Sequence, residues 1–110
     1  MVELRPANKE LANFSLAYDG QRYIYVSGGW AEKLFGLRRS KDQDSVLKYD
    51  TVNDAWSSIQ SLSQSRHSHS SLVLAQKLYV FGGFAGRGDV WQDSLEVLDL
   101  QVQNSAWKLI

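Results

Sequence analysis

His67 and His69 are the pair in this chain best spaced to share a metal ion. At i and i+2 on a strand they would point to one face, and neutral imidazole is a common zinc ligand. A closed site needs more donors, and the sequence offers no recognisable third ligand and no cysteine. The run Gly82-Gly83-Phe84-Ala85-Gly86-Arg87-Gly88 has the glycine content of a phosphate cradle. It lacks the Lys-Ser/Thr step of that motif, and no helical pattern follows to supply an N-terminal dipole. Inside it, Arg87-Gly88-Asp89 spells a tripeptide that extracellular adhesion ligands use, and Asn13-Phe14-Ser15 has the form of a glycosylation acceptor. No secretion signal accompanies either, so both read as coincidence. No nucleophile elbow or comparable local signature is present. The expectation is a non-enzyme with no catalytic, cofactor-binding or metal-binding residues.

Composition narrows the class further. The chain has 110 residues, 44% of them hydrophobic and 22% charged, which is ordinary for one small globular domain or a piece of a larger one. Twelve basic residues balance twelve acidic ones, so no basic field argues for nucleic acid or an anionic membrane surface. No apolar run approaches the roughly 18 residues of a membrane span. A soluble, cytoplasmic protein that binds neither nucleic acid nor membrane is the expectation.

What organises the chain is a repeated pattern rather than a site. Tyr23-Ile24-Tyr25-Val26-Ser27-Gly28-Gly29 has the same form as Lys77-Leu78-Tyr79-Val80-Phe81-Gly82-Gly83: alternating aliphatic and aromatic residues running into a glycine pair. Each copy continues with Asp-Ser, a short apolar strand ending in Asp, and Ala-Trp. These are Asp44-Ser45, Asp50 and Ala55-Trp56, then Asp93-Ser94, Asp99 and Ala106-Trp107. Gly28 to Gly82 is 54 residues, Asp50 to Asp99 is 49 and Trp56 to Trp107 is 51. The strands hold register while the loops change length, as a structural unit with variable connections requires.

Read in order, residues 1–12 form a lead-in loop with the only proline. Asn13 to Tyr18 reads as a strand, Asp19-Gly20 as a hairpin turn and Arg22 to Ser27 as the returning strand. Residues 30–43 form a long charged loop in which Leu34, Phe35 and Leu37 allow a helical turn. Ser45 to Asp50 is the third strand, Asn53-Asp54 a turn, and Ala55 to Ile59 the fourth. The second unit repeats the order over Ser68 to Leu74, Lys77 to Phe81, Ser94 to Leu100 and Ala106 to Ile110. The fold class is all-β, two four-stranded antiparallel meanders. Trp56 and Trp107 each need a facing sheet to cover them, because a Trp buries about 150–250 Å².

This ordered set resembles the kelch repeat, whose units are four-stranded blades of a β-propeller. The family's marks stand here as Gly28-Gly29, Tyr49-Asp50 and Trp56, and again as Gly82-Gly83, Leu98-Asp99 and Trp107. The family's Arg, set before the glycine pair and followed by a His or small polar residue, matches Arg66 with His69. Leu98 departs from the usual Tyr, and Glu10 sits where the first copy would have its Arg. The resemblance implies a blade over 13–62 and another over 63–110, with 1–12 as the tail of a preceding blade. Two blades do not close a ring, since propellers have at least about four. The expectation is part of a larger propeller, with further blades in the same chain or recruited by self-association.

The resemblance also implies a function. Family loops between the second and third strands, and between blades, build a rim that grips partner peptides. Here those loops cover residues 30–43, 84–92 and about 60–67, holding Trp30, Arg38, Arg39, Lys41, Arg66, Phe84, Arg87 and Trp91. Arginine and aromatic residues are the types enriched at binding hot spots. Against this, Trp30 and Trp91 could simply cover sheet edges between blades, with the arginines solvated. The reading is a non-catalytic protein-interaction module. A structural role in closing a propeller by oligomerisation stands second, and a fragment of a propeller enzyme third.

Overall fold

Short apolar segments separated by Gly, Asn and Asp turns give most of the strands. The computed structural model describes residues 9–34, 37–85 and 90–110. In chain order the strands are β1 (Lys9–Ala12), β2 (Ser15–Tyr18), β3 (Tyr23–Ser27), β4 (Trp30–Leu34), β5 (Leu37–Asp42), β6 (Val46–Asp50) and β7 (Ala55–Ile59). They continue as β8 (Ser70–Leu74), β9 (Lys77–Phe81), β10 (Phe84–Ala85), β11 (Val90–Trp91), β12 (Leu95–Asp99) and β13 (Lys108–Leu109). Among the described residues there is no helix, and so none long and apolar enough to cross a membrane.

Two four-stranded antiparallel sheets carry the fold, in the orders β2-β3-β6-β7 and β8-β9-β12-β13. Equivalent strands pair in equivalent register: Tyr25 lies opposite Ala17 and Lys48, and Tyr79 opposite Leu72 and Val97. Edge strands of the two sheets, β2 and β8, lie side by side, and the Ser15 and Ser71 hydroxyls hydrogen-bond across them at 2.6 Å.

Two segments depart from the sequence reading. Residues 30–43, expected as a loop, contain the hairpin β4–β5, and β1 adds to β4, so the supposed lead-in loop also pairs. A long excursion leaves many backbone donors and acceptors to satisfy, and ladder pairing satisfies them whatever the side-chain pattern. The strand expected from Ser68 begins instead at Ser70, because Ser68 adopts a left-handed φ of 55°.

The core lies between the two sheets. Ala17, Tyr25, Val46 and Leu62 meet Leu78, Val80 and Leu98 there, with Ile59, Val73, Leu100 and Trp107 packed around them. Leu98, the departure from the family's usual Tyr, is fully inside at 2% exposure. The two tryptophans differ. Trp107 packs on the core and donates its indole N–H to the Gln60 carbonyl at 2.8 Å, tying one sheet to the end of the other. Trp56, half-buried like Trp107, instead covers the Tyr49 ring at 4.8 Å. Trp107→Phe keeps most of the apolar area but leaves the Gln60 carbonyl without that donor. We expect a loss of about 1–2 kcal/mol by urea unfolding.

The strand-ending aspartates act as turn clamps. Asp50 accepts two hydrogen bonds from the Arg22 guanidinium, at 2.8 and 2.7 Å, and the backbone N–H groups of Val52 and Asn53. The Arg22 guanidinium holds the Asp50 carboxyl well below the usual carboxylate range. Asp99 accepts the Gln101 N–H at 3.0 Å in the second copy.

Candidate functional site

In an antiparallel meander alternate connections gather at opposite ends. The β2–β3, β6–β7, β8–β9 and β12–β13 turns collect at one end of the sheets. The longer β3–β6, β7–β8 and β9–β12 connections form the rim at the other.

Two glycine pairs anchor this rim in matching fashion. Gly28 N–H donates to the Ser45 carbonyl as Gly82 N–H does to Ser94, and the Gln43 and Gln92 N–H groups donate back to Gly29 and Gly83. Between the pairs runs the inter-sheet segment 60–69. Gly29 N–H donates to the Arg66 carbonyl at 2.7 Å, and His67 and Phe84 exchange both backbone hydrogen bonds at 3.0 Å. The approach is close enough to exclude any Cβ. At Gly28 (φ 60°) it would stand 2.4 Å from the Arg66 carbonyl oxygen, and at Gly83 (φ 84°) 2.5 Å from that of His67. Glycine is therefore required twice over, by φ and by space.

The two histidines do not share a site. The left-handed Ser68 between them breaks the strand alternation that would have aligned them. The His69 ring sits 2.9 Å by Nε2 from the Ser27 hydroxyl, and its Nδ1 is buried without a hydrogen-bond partner. Burial, with the Arg66 charge next in size, pushes the His69 imidazole down to about 4. His67 instead lies with its ring 6.0 Å from that of Phe84 and its Nδ1 3.2 Å from the Ser68 hydroxyl.

Arg66, expected on the rim, is not exposed at all. Its side chain turns inward to Glu96, also wholly buried, with Nη2 and Nε at 2.7 and 3.2 Å from Oε2. The same guanidinium donates to the carbonyls of Gly82 and Ser94 and to the Ser94 hydroxyl. Glu96 Oε1 accepts the Ser63 N–H at 2.8 Å. The Arg66 backbone is bonded to Gln43 and Gly29 of the first sheet's loop. Arg66 thus staples the sheets together and is withdrawn from the contact surface: a guanidinium with five N–H donors is well used where several carbonyls converge. Glu96 was missed in the sequence because the first copy holds Leu47 at the matching position.

Among the described residues, what the rim presents is aromatic. Phe84 on β10 and Trp91 on β11 lie opposite each other, rings edge to face at 5.4 Å, with Trp91 65% exposed and Val90 beside it 58% exposed. Beneath them the Gln64 side-chain amide hydrogen-bonds that of Gln92, joining the inter-sheet segment to this loop. Trp30 is half-buried at the start of β4. Arg38, Arg39 and Lys41 fall on β5, their side chains outside the described part of the structure, and Arg87 lies outside the described residues. Among the described residues no group of three or more His, Cys, Asp or Glu side chains could hold a metal.

The sequence profile of the Kelch motif matches this chain twice, over residues 20–63 and 65–109. Kelch-like protein 28 of Homo sapiens is 30% identical over 87 residues, covering 78% of this chain and 15% of that protein. Kelch-like protein 6 of Homo sapiens is 32% identical over 84 residues, 76% of this chain and 12% of that protein. An F-box/kelch-repeat protein of Arabidopsis thaliana is 41% identical over 78 residues, 69% of this chain and 15% of that protein. The chain thus spans less than a fifth of the length of these relatives.

Proposed function

Since this chain belongs to the kelch-repeat family, and its two sheets are propeller blades, we propose that it is a non-catalytic module that binds a protein partner through its loop rim. The observation that carries this reading is the Phe84–Trp91 pair. A large indole is held largely in solvent by an edge-to-face neighbour, beside loop ends pinned by the Gly83–Gln92 and His67–Phe84 backbone bonds. A rigid, exposed aromatic gains contact area on binding with little ordering cost, which is the character of an interface anchor. Trp30 flanks this platform in the proposal, and Arg38, Arg39, Lys41 and Arg87 supply cations around it.

Trp91→Ala tests the reading. With so little of its surface buried, its loss should change folding stability by no more than about 0.5 kcal/mol, while an anchor would cost at least about 2 kcal/mol of partner affinity. A photo-crosslinking residue at position 91 should capture a partner, and one at Val52, exposed at the turn end, should not. Equal capture at both positions, or none at 91, would remove the rim from the proposal.

A second reading rests on the blades' outer faces. Leu16 and Tyr18 on the first, and Leu72, Leu74 and Phe81 on the second, are each about half exposed or more. Such faces suit further blades, in this chain or in another copy, and the mass in solution distinguishes the two.

A further inference from the structure

Away from the rim, a trough opens between the two sheets at the end where the turns gather. One chamber of about 450 Å³ lies against Asp19, Tyr23 and Val73, and another of about 350 Å³ against Ile59, Leu98 and Gln103. Tyr25, Lys48 and Leu100 line both, so the chambers join there.

In the larger chamber three groups keep hydrogen-bonding capacity in hand. The Tyr25 hydroxyl bonds to nothing among the described residues although the residue is 3% exposed. Burial pushes its pKa up to about 12, so it remains a neutral donor. The Lys48 ammonium rests 4.0 Å from the centre of the Tyr23 ring and, among the described residues, forms no ion pair. Asp19 spends Oδ1 on the backbone N–H groups of Gln21, Arg22 and Tyr23, while Oδ2 carries no bond. A donor, a cationic donor and an anionic acceptor therefore converge on one space.

The rest of the trough wall is lined with side-chain amides. Gln76, Gln101, Gln103 and Asn104 are exposed, and their amides form no hydrogen bonds among the described residues. Left-handed turn geometry accounts for the residue type at Asn104, with φ of 59°, but not at Gln76, whose φ is 60°, nor at Gln101 or Gln103. A carboxamide offers one acceptor and two donors, matching the groups of a peptide backbone. Two carboxylates, Asp19 and Asp99, line the trough against one ammonium, Lys48, a net of one negative charge, so a strongly acidic ligand is disfavoured.

We propose that this trough is a second binding site, distinct from the Phe84–Trp91 platform, that takes an extended polypeptide segment without acidic side chains by its backbone peptide groups. Tyr25 and Lys48 donate to its carbonyls, Asp19 accepts from an N–H, and the amide wall continues the pairing.

Heteronuclear NMR titration of the intact protein tests this, with an acetylated, amidated Gly-Gln-Asn-Gln-Gly pentapeptide as probe. Saturable shifts are expected at Tyr25, Lys48, Leu100 and Gln101, with Trp91 unmoved. Tyr25→Phe and Lys48→Met should each weaken binding about fivefold, the loss of one hydrogen bond, with unchanged unfolding temperatures. A Glu-substituted probe of the same length should bind more weakly. Absence of saturable shifts in the trough, shifts confined to the rim, equal binding of the Glu-substituted probe, or equal saturable binding of maltotriose would each overturn the assignment.

Discussion

Glu96→Ala is expected to destabilise the protein by about 3–5 kcal/mol, the largest effect of any single substitution proposed for it. The carboxylate sits at zero exposure, and its removal strands the equally buried Arg66 guanidinium. It also leaves the Ser63 N–H without its acceptor, loosening the segment that joins the two sheets. The cost comes from the orphaned charge more than from the worth of the pair. A double replacement should therefore be much milder than either single one. Arg66→Met with Glu96→Leu is the natural choice, because the first copy already holds Leu47 where the second holds Glu96, with Glu10 in place of the arginine. Urea unfolding of wild type, both singles and the double gives the coupling energy directly. A Glu96→Ala cost below about 1 kcal/mol, or a double variant as damaged as the worse single, would show that Arg66 does not hold the sheets together.

That pair also marks where sequence reasoning ran out. The glycine pairs, the strand-ending aspartates and the Ala-Trp steps recur because each does a local job. The glycines let a neighbouring carbonyl approach within a Cβ's reach, and Asp50 and Asp99 cap the turns that follow them. Local jobs repeat with the unit, so they show in one chain. The Arg66–Glu96 contact spans 30 residues and occurs once, so no repeat announces it. Composition pointed the wrong way as well, since an arginine in a loop ordinarily belongs in solvent. The hairpin β4–β5 was hidden for a different reason. Its segment lacks the apolar alternation that marks a strand, and backbone pairing alone accounts for it. For the tryptophans the pattern asked for a facing sheet over each, and both are half-buried. The structure separates Trp107 on the core from Trp56 on Tyr49, a distinction of facing sheets and not of sequence.

Acid should unfold this protein in two stages, and the first belongs to His69. Its imidazole, ordinarily at 6.5, is held down to about 4 by burial and by the nearby Arg66 charge, with His67 adding to the effect and Glu96 opposing it. The unfolded chain takes up a proton as the pH falls through 6.5, while the folded chain does not until about 4. In that window the unfolded state binds more protons, so stability falls as pH falls. A shift of this size amounts to about 3 kcal/mol lost between pH 7 and pH 4, and below 4 the contribution is flat. Asp50 behaves oppositely in position, since its carboxyl is depressed by Arg22. Its contribution is intact above the ordinary carboxylate value of 3.8 and is lost only below it, which forms the second stage. Because the two windows barely overlap, urea midpoints taken at half-unit intervals from pH 7 to 4 isolate the histidine. Replacing it by asparagine, His69→Asn, retains a group able to bond Ser27 but cannot titrate, and should flatten that span while leaving the fall below pH 4. A wild-type protein whose midpoint is constant from 6.5 to 4, or an asparagine variant with an unchanged slope, would mean that His69 accepts its proton in the folded state. The segment between the glycine pairs would then open without unfolding the blades.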